Sequence, residues 1–199
     1  MKYRLLSLLL IGTFASANAQ EVTFFTPRTV RIVKNAPDMS KETGLSLVVT
    51  AQPEKVKVTK KTAGDVTTYT SSALTVTVDT RLHKVTFADS KGNRLMDEGT
   101  MAFTPIKNGP DQGRYKVRQA FALDKDEPIY GVGMIQNGKM NLRGERRRMI
   151  QSNLEDFAHF FQSIKGYGVY WDNYSPTNIN DGNELSLESE VGCKVDYYF

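Results

Sequence analysis

Short apolar segments with a period of two recur along this 199-residue chain. The clearest segment runs from Ala73 to Asp79, where Leu74, Val76 and Val78 alternate with polar side chains. Alternation of this kind places the apolar side chains on one face of a strand, and that face must pack against another layer. Helical patterns are scarce, and closely spaced strands without helices between them favour a sandwich or a barrel. The sequence therefore predicts an all-β fold built as an antiparallel β-sandwich.

The same reasoning predicts further strands and one exception. The predicted strands are 24–33, 45–49, 55–59, 84–88, 114–123 and 195–199, with a polar loop at 40–44 and a turn at 89–93. β-Branched and aromatic residues bounded by Gly, Pro, Asn and Asp are typical of strands joined by turns. In the segment 153–164, by contrast, Phe157, Phe160, Phe161 and Ile164 have near-helical spacing. This segment is therefore predicted to form a short helix.

The first residues have the order of an export signal. Lys2 and Arg4 precede an apolar run, which is followed by the small-residue cleavage motif Ala17-Asn-Ala19. The apolar run is shorter than the roughly 20 residues that a membrane-spanning helix needs. We therefore expect a signal peptide at 1–19, one domain at 20–199, no membrane span, and a mature chain that is periplasmic or secreted. A buried N-terminal helix is the alternative interpretation.

Charge and composition exclude several classes of function. The formal net charge is +4, and cleavage after Ala19 would remove two of the positive charges, those of Lys2 and Arg4. The remaining net charge is too small to predict nucleic-acid binding. The only cysteine is Cys193, so no intrachain disulfide is expected, and His83 and His159 are the only histidines. These three residues give no zinc-ligand cluster, so we predict no metal and no cofactor.

Glycine and aromatic residues alternate in Gly166-Tyr-Gly-Val-Tyr-Trp-Asp-Asn-Tyr174, downstream of Tyr130-Gly-Val-Gly133. The longer block from Phe160 to Ser175, together with Tyr-Gly-Val-Gly and with Val195-Asp-Tyr-Tyr-Phe199, resembles glycoside hydrolase family 31, the α-glucosidases and α-xylosidases. His159 departs from the family pattern, because it stands where the family usually has proline before the Phe-Phe pair. The resemblance extends over most of the mature chain.

The resemblance implies a supersandwich like that of galactose mutarotase, packed against a catalytic (β/α)8 barrel. In the family, two aspartates of the barrel act with retention, which needs carboxyl groups roughly 5 Å apart. Trp171 is followed directly by Asp172-Asn173-Tyr174, which lacks the nucleophile signature of the family. We therefore predict no catalytic residue in this chain. The segment 195–199 has no closing turn, and we expect a protein interrupted before its barrel.

The resemblance also points to candidate substrate-binding residues, which are Gln151, Asn153, Trp171 and Asn173. In the family, a loop of the N-terminal domain reaches the mouth of the barrel and helps to form a sugar subsite. Residues 150–153 correspond to that loop, and their amides both donate and accept hydrogen bonds. A simple polar turn is the alternative for Gln151 and Asn153. For Trp171 the alternatives are stacking on a sugar and packing in the core.

Three hypotheses follow for the function. The first is the N-terminal part of a retaining α-glycosidase, which would contribute carbohydrate binding and barrel support but be inactive alone; its partners would be an oligosaccharide and the missing barrel. The second is a free-standing carbohydrate-binding module. The third is a mutarotase-type aldose epimerase, which would need a histidine acid and a carboxylate base in one cleft.

Overall fold

The computed structural model describes residues 20–39 and 46–199, which form two antiparallel β-sheets and contain no helix. The strands in chain order are β1 (Gln20–Thr26), β2 (Thr29–Asn35), β3 (Thr59–Ala63), β4 (Val66–Thr70), β5 (Leu74–Asp79), β6 (Lys84–Asp89), β7 (Arg94–Pro105), β8 (Tyr115–Ala122), β9 (Ile129–Met134), β10 (Arg146–Met149), β11 (Asp156–Ser163), β12 (Gly168–Trp171), β13 (Thr177–Asp181), β14 (Leu185–Gly192) and β15 (Lys194–Tyr198).

One sheet has six strands in the order β1-β2-β15-β12-β11-β9, and the other has nine in the order β10-β13-β14-β8-β7-β6-β5-β4-β3. The strand nearest the chain end, β15, lies inside the six-stranded sheet, where it pairs with β2 and β12. Phe199 continues this pairing, because its N–H and C=O both bond to Val30 at 2.8 and 2.9 Å. The last residues of the chain are therefore part of the centre of the fold.

The core lies between the two sheets, as the sequence predicted. Leu74, Val76 and Val78 of β5 are all buried. From the other sheet, the ring of Tyr197 packs edge-on against Phe121, with ring centroids 5.3 Å apart. An apolar face on each sheet buried against the other defines an all-β sandwich, and this prediction is confirmed.

The predicted strand 24–33 is wrong in one respect, because it is a hairpin and not one strand. β1 and β2 pair in antiparallel register, and the chain turns at Pro27 and Arg28. Proline has no N–H to donate to a sheet and its fixed φ suits a turn. The period of two continues through the short turn, which is why the sequence pattern conceals it.

The predicted strands 45–49 and 55–59 are also wrong, since no strand lies between Ser46 and Val58. We call residues 46–58 the strap. Its backbone is attached at Glu54, whose N–H donates to the carbonyl of Phe25 at 2.9 Å, while Val56 and Val58 pack partly against the core. The alternating pattern is present, but the backbone contact of the strap with β1 at Phe25 does not extend into a paired strand.

The predicted helix at 153–164 is wrong as well, because residues 156–163 form β11. This strand pairs with β9 on one side and β12 on the other. Between Phe157 and Phe161 the register with β9 shifts, and this bulge disturbs the simple alternation of apolar residues. Backbone pairing on both sides outweighs the near-helical spacing of the aromatic side chains.

Other predictions are confirmed by β5, β6, β8 and β15, which match 73–79, 84–88, 114–123 and 195–199 within one or two residues. The turn at 89–93 is also present, closed by a 3.0 Å bond from the Asp89 N–H to the Asn93 carbonyl. The signal peptide predicted at 1–19 and the loop predicted at 40–44 lie outside the described residues. Across 20–39 and 46–199, no helix has the length and apolarity to cross a membrane.

Candidate functional site

The loop between β10 and β11 carries Gln151 and Asn153, and both side chains are exposed. The Gln151 amide is engaged within the loop: its Nε2 donates to Asp156 Oδ1 at 2.6 Å, and its Oε1 accepts from the Phe157 N–H at 3.2 Å. Among the described residues, the Asn153 side chain makes no hydrogen bond. Gln151 therefore has the contacts of a polar turn, and Asn153 is the amide open to a ligand.

The Tyr-Gly-Val-Gly motif lies in β9 and positions the start of β11. Gly131, Val132 and Gly133 all have positive φ, at 116°, 55° and 98°. A Cβ at Gly133 would lie 2.0 Å from the Asp156 carbonyl oxygen, and one at Gly131 would lie 2.6 Å from that of Phe160. Glycine is required here by both the backbone conformation and the close approach of β11. The motif therefore supports the candidate loop and is not itself a binding group.

The stacking role predicted for Trp171 does not fit the structure. Trp171 is fully buried, and its indole N–H donates to Ser189 Oγ at 2.8 Å. Successive side chains of a strand point to opposite faces, so Trp171 of β12 points into the core. Its buried ring therefore has no face open to a sugar. The alternative, core packing, describes its position.

Asn173 organises the turn that follows β12. Its Oδ1 accepts from the backbone N–H and the hydroxyl of Ser175, both at 2.9 Å, and its Nδ2 donates to the Val191 carbonyl at 3.1 Å. The structure therefore does not bring the four predicted residues together, since Trp171 is in the core and Asn173 is occupied by its own turn.

The two histidines have local roles. His83 is exposed in the β5–β6 turn with φ of 53°. His159 Nδ1 contacts the Asn173 carbonyl oxygen at 2.8 Å, and burial lowers the pKa of its imidazole although this hydrogen bond opposes the shift. Within the described residues, neither imidazole is hydrogen-bonded to a carboxylate, so the histidine–carboxylate pair that an epimerase would need is not assembled at His83 or His159.

A buried charged cluster lies between the sheets. Lys34 Nζ is 2.5 Å from Glu98 Oε2, and Tyr197 donates its hydroxyl to Glu98 Oε1 at 2.8 Å. The Val85 N–H also donates to Glu98, at 2.7 Å. Burial raises the pKa of Glu98 and lowers the pKa of Lys34. Because both groups are almost completely enclosed, the cluster fixes the sheets and is closed to substrate.

A second buried carboxylate is Glu127, in the loop after β8. It accepts hydrogen bonds from Ser163 Oγ at 2.5 Å and from the Tyr167 hydroxyl, and Lys165 Nζ lies 3.0 Å away. Burial alone would raise the pKa of Glu127, but these hydrogen bonds outweigh it and the pKa is lowered. The carboxylate thereby joins this loop to the β11–β12 turn. In the described part of the chain, no group of three or more His, Cys, Asp or Glu side chains is arranged to hold a metal.

A cavity of about 660 Å³ lies where β11 ends and β12 begins. We call it the strand-end pocket. Phe160, Tyr170 and Tyr198 line it together with Arg28 and Ser72. The sequence analysis did not select these residues. Strand parity was the available signal, because Tyr170 and Tyr198 alternate with the buried Trp171 and Tyr197.

The comparison with protein families decides the assignment. Residues 19–180 match the profile described as "Glycosyl hydrolase 31 N-terminal galactose mutarotase-like domain". This chain belongs to glycoside hydrolase family 31. The family 31 domain is 30% identical over 164 residues to an α-xylosidase of Saccharolobus solfataricus, covering 77% of this chain and 22% of that protein. It is also 33% identical over 87 residues to an uncharacterized family 31 glucosidase of Pseudescherichia vulneris, covering 43% of this chain and 16% of that protein.

Solved structures show the same fold. The family 31 α-xylosidase of Xanthomonas citri superposes with a TM-score of 0.76 at 27% identity, covering 83% of this chain and 18% of that chain. A family 31 α-xylosidase from a soil metagenome, complexed with xylose, gives a TM-score of 0.78 at 20% identity, covering 92% of this chain and 30% of that one. The family 31 domain therefore spans less than a third of each of these four relatives.

Proposed function

We propose that this chain is the N-terminal β-sandwich portion of a retaining α-glycosidase, similar to α-xylosidases and α-glucosidases, that acts on oligosaccharides. Its contribution is carbohydrate binding and support of a catalytic barrel, and it is not catalytic alone. The family match over residues 19–180, in a chain that spans 22% of the S. solfataricus α-xylosidase, carries the proposal. The order of residues 1–19 supports export of the mature chain to the periplasm or the medium.

An apolar surface beside the candidate loop supports docking of a barrel. Met134 ends the edge strand β9, and Ile150 and Leu154 flank Gln151 and Asn153. Met134 and Leu154 are 62% and 72% exposed, and Met134 pairs with Asp156 just after Leu154. We call Met134, Ile150 and Leu154 the apolar rim. Clustered apolar side chains of this kind mark interaction surfaces. A barrel seated on the apolar rim would bring its mouth to Asn153.

The test has two parts. Purified residues 20–199 are expected to release no nitrophenol from aryl α-xylosides or α-glucosides above the buffer blank, and turnover by this material would overturn the proposal. Reading the gene past the Phe199 codon is expected to show a frame that continues into a barrel. In that longer enzyme, Asn153→Ala is expected to raise KM about three- to ten-fold, the value of one hydrogen bond. The matched control is Lys60→Ala, on the exposed strand β3, which should leave KM unchanged.

A further inference from the structure

The strand-end pocket lies at the opposite end of β11 from the candidate loop. The loop precedes Asp156, whereas Lys165 and Gly166, which line the pocket, follow Ser163. Phe160, which lines the pocket from within β11, lies four residues after Asp156, which is roughly 13 Å along the strand. The pocket volume of about 660 Å³ is within the range of small-molecule sites. A ligand in this pocket would therefore be separate from one at the loop.

One wall of the pocket is aromatic. The Phe160 ring lies across β12 at Gly168, where a Cβ would be 2.7 Å from two ring carbons. Phe160 is 41% exposed, so a ligand can reach the ring. The neighbouring Tyr170 ring lies 6.0 Å from that of Tyr198, centroid to centroid. Flat, partly exposed rings of this kind pack against the C–H face of a pyranose.

Polar side chains also line the pocket. Within 20–39 and 46–199, the Arg28 guanidinium and the hydroxyls of Ser72, Ser90 and Tyr170 make no hydrogen bond. They are therefore free to bond a ligand, and hydroxyls both donate and accept as sugar hydroxyls require. This arrangement of a flat apolar wall and convergent polar groups is the general design of a small-molecule site.

The pocket carries charges of both signs. Arg28 contributes one positive charge, and Asp89 contributes a negative charge whose carboxylate is already bonded by the Asn93 amide at 2.7 Å. The third charged group, Lys165, is already paired with Asp124 at 2.6 Å and with Glu127 at 3.0 Å. The Arg28 guanidinium is therefore the charged group that remains to donate hydrogen bonds to ligand oxygens.

We propose that the strand-end pocket binds a pyranose, as a second sugar site that stacks the ring on Phe160 and Tyr170 and bonds its hydroxyls to Arg28 and Ser72. The site is independent of the loop at the other end of β11. It rests on the proposed function only for the choice of an α-linked oligosaccharide as ligand.

The test uses the 199-residue chain after removal of residues 1–19, with maltotriose and xylose as probes and sorbitol as an acyclic control. Saturation-transfer NMR is expected to detect both sugars but not sorbitol. Tyr170→Ala is expected to weaken binding about five- to ten-fold, since an aromatic contact contributes about 1 kcal/mol. Ser72→Ala should weaken it about three-fold through one lost hydrogen bond, and Tyr170→Phe should retain the stacking.

The matched control is Asn153→Ala at the opposite end of β11, which should leave sugar binding unchanged. Thermal unfolding verifies that each variant folds. If Tyr170→Ala does not fold, Ser72→Ala still tests the site, because Ser72 is exposed. Absence of a sugar signal, or equal binding by folded wild type, Tyr170→Ala and Ser72→Ala, overturns the second site. An effect of Asn153→Ala on KM in the longer enzyme would still stand, so the two proposals fail separately.

Discussion

Lys34 and Glu98 place opposite charges between two apolar sheets, where an unpaired charge costs several kcal/mol. The structure satisfies Glu98 with a lysine, a tyrosine hydroxyl and a backbone N–H. Lys34 in turn also donates to the His83 carbonyl at 3.1 Å. Because the partners come from both sheets, this cluster fixes their relative position as well as neutralising the charges.

Glu98→Gln is expected to lower the free energy of unfolding by about 3 kcal/mol, because it leaves the Lys34 charge uncompensated in the core. The matched control is Glu190→Gln, which removes a partly exposed pair with Arg148 at 2.7 Å and should cost less than about 1 kcal/mol. Urea denaturation measures both. Equal losses for the two variants would show that burial of the Lys34–Glu98 pair is energetically unimportant.

The lowered pKa of Glu127 determines how this residue's contribution to the free energy of unfolding changes with pH. Its pKa is lowered in the folded protein, so its contribution is fully present above the unfolded-state value of about 4.3 and is lost as the pH falls through the folded pKa. Glu127→Gln should therefore lower Tm at neutral pH and flatten its acid dependence. Glu54→Gln, on the exposed strap, should keep the wild-type profile. A Glu127→Gln curve parallel to wild type between pH 3 and 7 would contradict this assignment.

At the scale of elements, the contact between β9 and β11 determines where the candidate loop lies. β9 approaches β11 so closely that a side chain at Gly131 or Gly133 would overlap the β11 backbone. The bulge of β11 between Phe157 and Phe161 occurs at the same contact. The two glycines therefore position a strand that carries the loop at one end and the strand-end pocket at the other.

Gly133→Ala is expected to destabilise the protein by about 3 kcal/mol or more, since positive φ and a backbone clash both act on the added Cβ. Gly138→Ala is the matched control, because Gly138 also has positive φ, at 71°, but no atom lies within 4 Å of its Cβ position. That variant should lose only about 1 kcal/mol. Similar losses in denaturant titrations of both variants would mean that β11 moves away without cost.

At the scale of the whole molecule, the six-stranded sheet has both a central chain end and an exposed edge. β15 lies among β2, β12 and their neighbours, so the fold requires the residues up to Phe199. β9 is an edge strand, and the apolar rim lies beside it. An unpaired edge with apolar side chains is normally covered by another element, which agrees with a docked barrel.

Residues 20–199 alone are therefore expected to bind a hydrophobic dye at the apolar rim. The double variant Met134→Ser, Leu154→Ser should reduce dye fluorescence without lowering Tm, because both side chains are exposed. The control Leu47→Ser, Val48→Ser removes equally exposed residues of the strap and should reduce the fluorescence less. A dye-silent wild-type monomer would argue against the apolar rim as a docking surface.

The sequence alone predicted the fold class and the family, because period-two alternation requires facing sheets and because Tyr-Gly-Val-Gly, the Phe-Phe block and the segment 195–199 occur in the order typical of the family. It could not determine pairing: residues 46–49 belong to a segment that alternates like a strand but form no strand, and 156–163 belong to a segment with near-helical spacing but form a strand paired on both sides. It also left the face of each aromatic residue open. Trp171 is in the core and Tyr170 lines a pocket, since a local period defines two faces and only the opposing sheet decides which one is buried.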